Sequence, residues 1–198
     1  MINLNDDQFD GGGNVKIFNG GKAGIVDNVK VSVVRKGKDD KPNSPEFKLN
    51  FTDPTGGTCS TPFWVVENET QYKTVDELIQ AQGKVLKHIL HAVYGKDFSI
   101  PAFGSAKEML SGSMKLIHDG LAAAPSFRMI ANYGVPSYSK AFIQPRSWVP
   151  FMEPMSVDIA DTRLALGDLD CLTRLTKDEI PAGNTDDLMS SDKGGDWD

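Results

Sequence analysis

Three sets of residues in this chain have the types and spacing to do chemistry. They are the histidines, a group of aspartates near residues 158–170, and cations interleaved with aromatic rings in strand-like segments. His88, His91 and His118 fall in helical patterns, and the first two are spaced to share one helix face. No cysteine or carboxylate stands at a matching interval, so they read as surface or packing histidines in preference to a metal site. Asp158, Asp161, Asp168 and Asp170 carry the right atoms for a Mg²⁺ cluster, as in a nuclease, but no strand pattern holds them. Gly11-Gly12-Gly13 and Gly20-Gly21-Lys22 lack the spacing of a phosphate loop. Gly112-Ser113-Met114 lies inside a helix pattern and not on a nucleophile turn. No catalytic residue, metal or cofactor is expected.

The third set suits binding. Unpaired nucleic acid is held by cations that follow the phosphates and by rings on which bases stack. The candidates are Lys30, Arg35, Lys36, Lys38, Lys48, Trp64, Arg128, Tyr133, Tyr138, Lys140, Phe142, Arg146 and Trp148. Strand parity sorts some of them. Phe47, Leu49 and Phe51 share a core face, which puts Lys48 opposite, and Lys30 lies on the polar face of its own strand. Phe63 and Trp64 must point to opposite sides, and Trp64 is taken as the exposed one. Tyr138, Lys140 and Phe142 share a face that either stacks bases or packs under helices.

A fourth feature is electrostatic. Residues 186–198 contain Asp186, Asp187, Asp192, Asp196 and Asp198 against Lys193 alone, with Trp197 as the one large ring. Such a segment buries too little apolar surface to offset its ordering entropy and is expected to be disordered from residue 184 onward. It suits either of two uses: filling a basic groove as a polyphosphate mimic, or docking a partner through Trp197. A solubilising terminus is the plain alternative. Net charge over the chain is −6, which by itself argues against nucleic acid. The average conceals an asymmetry, because residues 14–49 hold eight basic and four acidic side chains. A groove responds to its local field.

The elements that must position these residues follow from periodicity. Val15–Phe18, Ile25–Lys36, Glu46–Asp53 and Phe63–Val66 read as strands, with a Pro54–Gly57 turn between the third and the fourth. Thr74 with Glu77 forms a capping box before a helix that runs to Gly95. A second helix is expected from Ser105 to Ala124, and strands return at Phe127–Tyr133, Tyr138–Ile143 and Trp148–Met152. A short helix over Asp170–Asp178 is weaker. The fold expected is mainly β, a five-stranded Greek-key OB-fold barrel with a helical hairpin inserted between strands 3 and 4. The domain plan is a flexible lead over 1–13, a barrel domain over 14–160 with its insertion at 74–124, an extension over 161–183 and the acidic tail over 184–198. Cys59 and Cys171 are expected to be reduced thiols. No apolar run reaches the roughly 18 residues of a membrane span, and residues 1–7 lack the pattern of a signal peptide. A cytoplasmic location is therefore expected.

Together these segments resemble the phage-type single-stranded DNA-binding proteins. The resemblance rests on the strand pair Asp27–Lys36 with Glu46–Asp53, on Phe127–Tyr133 leading to Phe142–Pro145 and Trp148–Pro154, and on the aspartate-rich tail. It implies an OB-fold that coats single strands during replication, recombination or repair, in the host cytoplasm if phage-encoded. It also implies a tail that contacts replication or recombination proteins and competes with DNA for the groove, and it leaves a homo-oligomer open. Tails of that family often end on phenylalanine, whereas here Trp197 precedes Asp198. Two rival readings stand beside it: a metal-dependent nuclease using the aspartates at 158–170, and a structural or adaptor protein that binds other proteins.

Overall fold

Alternating valines begin the sheet. In the computed structural model, which describes residues 16–35, 46–123, 126–135 and 138–175, β1 spans Gly24–Arg35 and turns Val29, Val31 and Val33 inward. β2 (Phe47–Thr52) alternates without fault: Phe47, Leu49 and Phe51 are buried, and Lys48, Asn50 and Thr52 are not. It pairs antiparallel with β1, setting Lys30 opposite Thr52, Ser32 opposite Asn50 and Val34 opposite Lys48. The turn after β2 is organised by Asp53. Its carboxylate accepts from Thr55 N–H and Thr55 Oγ at 2.7 Å, from Gly57 N–H at 2.9 Å and from Asn19 N–H. Burial opposes ionisation of Asp53, but these donors outweigh it and hold its pKa below the ordinary carboxylate value. Gly57 is required there, since a Cβ would stand 2.5 Å from the Ile17 carbonyl oxygen.

β3 (Thr58–Phe63) follows at once and pairs antiparallel with β2. The expectation had placed this strand at Phe63–Val66. The observed strand is made of small polar residues and a proline, so it lacks the apolar alternation by which a strand is found. Val15–Phe18 was likewise read as a strand. Within the described residues it supplies one bridge, Ile17 to Thr58, before a 3-10 turn over Phe18–Gly21.

The helices form as their caps dictate. α1 (Val75–Tyr94) carries the Thr74–Glu77 capping box with both reciprocal bonds made. α2 (Ala106–Leu121) is capped by Ser105, whose Oγ accepts from Glu108 N–H at 3.2 Å. Their apolar stripes, Leu86, Ile89 and Leu90 with Leu110, Met114 and Ile117, join the inward residues of the sheet in one core. Fully burying such a side chain stabilises the fold by about 1.5–3 kcal/mol.

β4 (Phe127–Val135) pairs antiparallel with β1 along one edge. Its other edge takes β5 (Tyr138–Pro145) at one end and β6 (Met152–Pro154) at the other. The strand path is β3-β2-β1-β4-β5, with β6 attached to β4. The result is a mainly β protein: a six-stranded antiparallel sheet with two helices inserted between β3 and β4. β3 and β5, the two ends of the path, lie near one another but share no ladder pairing, so the sheet is not a closed barrel. The last strand forms at 152–154, not at Trp148–Met152, and Arg146 closes the loop before it by donating to Pro150 O at 2.6 Å. Residues 170–175, the described part of the expected Asp170–Asp178 helix, form turns and irregular chain. Leu164 and Cys171 are buried, and Cys171 exchanges backbone bonds with Tyr133 and Gly134, which packs this stretch onto β4. Among the described residues no helix is long and apolar enough to cross a membrane.

Candidate nucleic-acid interface

The ladder register builds one continuous outward face. Across β1, β2 and β3 it reads Lys30, Thr52 and Thr58, then Ser32, Asn50 and Ser60, then Val34, Lys48 and Pro62. These nine positions contain two lysines and no carboxylate. Trp64, in outward step just past β3, is 39% exposed, while its neighbour Phe63 is in the core. The Trp64 carbonyl accepts from Gln82 Nε2 at 3.0 Å, which ties the end of β3 to α1.

β5 extends the same character. Ile143 is buried and Phe142, on the opposite parity, is 76% exposed. Phe142 therefore looks to solvent and does not pack under the helices. Lys140 Nζ donates to Gln144 Oε1 at 2.6 Å, two residues beyond Phe142. A phenylalanine this open leaves most of its ring available for contact, and β5 stands beside β3. Exposed ring, lysines and small hydroxyl and amide side chains thus occupy neighbouring strands of one outward surface.

Other members of the expected set lie elsewhere. Arg128 and Arg146 are buried and paired, not presented to solvent. Arg128 donates to Asp27 at 2.7 Å and to Glu153 at 3.1 Å. The bond to Asp27 is the main reason its pKa lies above the ordinary arginine value, against the opposing cost of burial. Arg146 donates to Asp170 at 3.0 Å, Ala165 O at 2.9 Å and Pro150 O at 2.6 Å. A phosphate would have to displace these internal acceptors. Trp148 has the Arg146 guanidinium 5.2 Å from its ring centroid and lines a groove of about 360 Å³ against α1 with Lys84. Tyr133 is part-buried and its hydroxyl donates to Gly21 O at 2.9 Å, a structural role. Arg35 is exposed at the far end of β1, 3.9 Å from Glu46. Lys36, Lys38 and the Tyr138 side chain lie outside the described residues, as do Asp186, Asp187, Asp192, Asp196, Trp197 and Asp198.

No family model, no curated protein and no solved structure matches the chain. Sequence reasoning set Ser32 and Asn50 on the polar strand face without counting them as contacts, and it missed Ser60 and Pro62. Their signal, small polar residues at every second position, becomes readable once β3 is placed at Thr58.

Among the candidates for metal chemistry, Asp158, Asp170 and His88 are engaged in other ways. Asp158 caps the 3-10 turn Ile159–Asp161 through Ala160 N–H at 2.9 Å. Asp170 holds Arg146, Asn132 Nδ2 at 2.7 Å and Gly167 N–H at 2.9 Å. His88 Nε2 accepts from Phe151 N–H at 3.1 Å and Met152 N–H at 3.2 Å. Burial is the chief cause that pushes the His88 pKa down to about 4, so its ring is neutral at pH 7 and supports β6 as an acceptor. Among the described residues no three His, Cys, Asp or Glu side chains converge as a metal site. Both cysteines are free thiols, and burial pushes the Cys59 thiol up to about 12, which makes it unreactive.

Proposed function

We propose that this chain is a non-catalytic, sequence-tolerant single-stranded DNA-binding protein whose contact surface is the outward face of β1, β2, β3 and β5. The observation that carries this reading is Phe142. It is a phenylalanine 76% open to solvent, on the strand beside a lysine-bearing ladder face free of carboxylates. Lys30, Lys48 and Lys140 meet phosphates, Phe142 and Trp64 stack bases, and Ser32, Asn50 and Ser60 supply hydrogen bonds that read no sequence. The strand order, with the helices between β3 and β4, supports reading the sheet as an OB-fold barrel opened between β3 and β5, with β6 added. Arg35 extends the cationic surface at the end of β1. Protection of transient single strands in replication, recombination or repair is the role such a surface serves, and the aspartate-rich tail recruits protein partners.

Fluorescence titration of labelled oligo-dT tests this. Phe142→Ala removes one stacking platform, worth about 1–3 kcal/mol per base, so affinity should fall roughly 5- to 150-fold. The side chain is open to solvent, so the thermal midpoint should be unchanged. Equal affinity of the variant and the parent protein would refute the assignment.

A further inference from the structure

α1, α2 and the connection between them enclose a second site, of about 480 Å³, away from the strand face. Its floor is apolar: Leu86 and Leu90 from α1, Met109 from α2, Phe98 and Phe103 from the connection. Its lining charges are Lys87 and Lys96, with His91 beside them and no carboxylate. Asp97 and Glu108 are near in sequence, but neither lines the cavity, and Glu108 accepts from Gly104 N–H at 3.0 Å. The volume falls in the range of pockets that take small ligands, about 300–1,000 Å³.

We infer that this cavity is the seat of the chain's own acidic segment, with the Trp197 indole on the apolar floor and neighbouring aspartates against Lys87 and Lys96. Three observations select this occupant. The charges are complementary: two lysines without a carboxylate meet five aspartates accompanied by one lysine. The lining suits a ring, since Phe98, Phe103 and Met109 border the cavity and an indole buries about 150–250 Å² while keeping one N–H donor at its edge. The reach suffices, since Trp197 lies 22 residues beyond Leu175, the last described residue. Extended chain covers about 3.3–3.6 Å per residue, so the span greatly exceeds the roughly 15 Å radius of gyration of a domain this size. Tethering then makes docking effectively intramolecular, at about millimolar local concentration. The other acidic stretch with a ring, Asp6 to Asp10 with Phe9, has three aspartates against the tail's five. It joins at Lys16, which packs by Gly56 in the β2–β3 turn. This seat does not depend on the DNA-binding reading. It places the segment on the helices, where direct competition for the strand face had been expected.

Zero-length carbodiimide coupling of the full chain, read by peptide mass spectrometry, tests the seat. Amide cross-links are expected between Lys87 or Lys96 and Asp187, Asp192 or Asp196, within one chain in a mixture of isotope-light and isotope-heavy protein. They should be lost in Trp197→Ala, kept in Trp197→Phe, and sharply reduced at about 1 M salt, where the Debye length is about 3 Å. Cross-links from the tail to Lys30 or Lys48, links at Lys87 and Lys96 from Asp6, Asp7 or Asp10, links only between chains, or a pattern unchanged in Trp197→Ala would each overturn it. Oligo-dT affinity is read separately, so a failed seat leaves the strand-face assignment standing, and the reverse.

Discussion

Arg128 shows how one side chain can mislead and then explain. In a strand between Phe127 and Met129 it reads as a cation offered to phosphate, yet it is 6% exposed and shared between Asp27 and Glu153. Its partners sit 101 and 25 residues away, a pairing that no local pattern reports. Removing Arg128 leaves the Glu153 carboxylate buried without its cation, and breaking such a pair destabilises the fold. Arg128→Ala should therefore lower the unfolding free energy measured by urea denaturation. A loss of oligo-dT affinity at full stability would instead return Arg128 to the binding surface. His88 makes a second prediction at this scale. Its folded pKa of about 4 lies below the ordinary 6.5, so the unfolded chain binds more protons between those values. Stability from this group is complete above about pH 6.5 and is lost as pH falls toward 4. His88→Phe should flatten that slope in a pH series of unfolding midpoints. It should also lower stability by about 1–3 kcal/mol at pH 7, because Phe151 and Met152 N–H lose their acceptor. A slope unchanged in His88→Phe would mean another group carries it.

Elements were legible to the degree that they declared a period. β1, β2 and both helices carry alternation, caps and stripes that fix them locally, and each formed within a few residues of where the sequence put it. β3 did not, because Thr58 to Pro62 has no apolar alternation and is recruited by the edge that β2 offers. The exposed side of β5 was undecided for a related reason. Tyr138, Lys140 and Phe142 hold apolar and charged residues on one face, and only the burial of Ile143 settles which way Phe142 points. The approach of the helices was also hidden. Gly120 looks like an ordinary helix residue, but a Cβ there would stand 2.4 Å from Val93 Cγ1 and 2.6 Å from Tyr94 Cζ. Tyr94 is fixed in turn by donating its hydroxyl to Leu116 O at 2.7 Å and by stacking on Phe98 at 4.3 Å. Gly120→Ala should force the helices apart, and overpacking of this kind costs about 1–3 kcal/mol. Chemical denaturation checks it; an alanine variant as stable as the parent would mean that the helix contact is looser than its geometry.

At the scale of the molecule, the governing feature is the separation of charge. The chain is acidic overall, at −6, yet the charges on its ladder face are lysines and its tail sets five aspartates against one lysine. Binding by such a face is a local electrostatic event, and each phosphate contact lowers log K by about 0.7 per log unit of salt for a single strand. Contacts from Lys30, Lys48 and Lys140 together should then give a slope near −2, with stacking on Phe142 and Trp64 setting the salt-independent remainder. The deciding measurement is oligo-dT affinity across a salt series for the parent chain and for Lys30→Ala with Lys48→Ala. The account predicts a steep parent slope that falls by about 1.4 in the double variant, as two phosphate contacts are lost. A flat parent slope, or a slope that survives removal of both lysines, would contradict it.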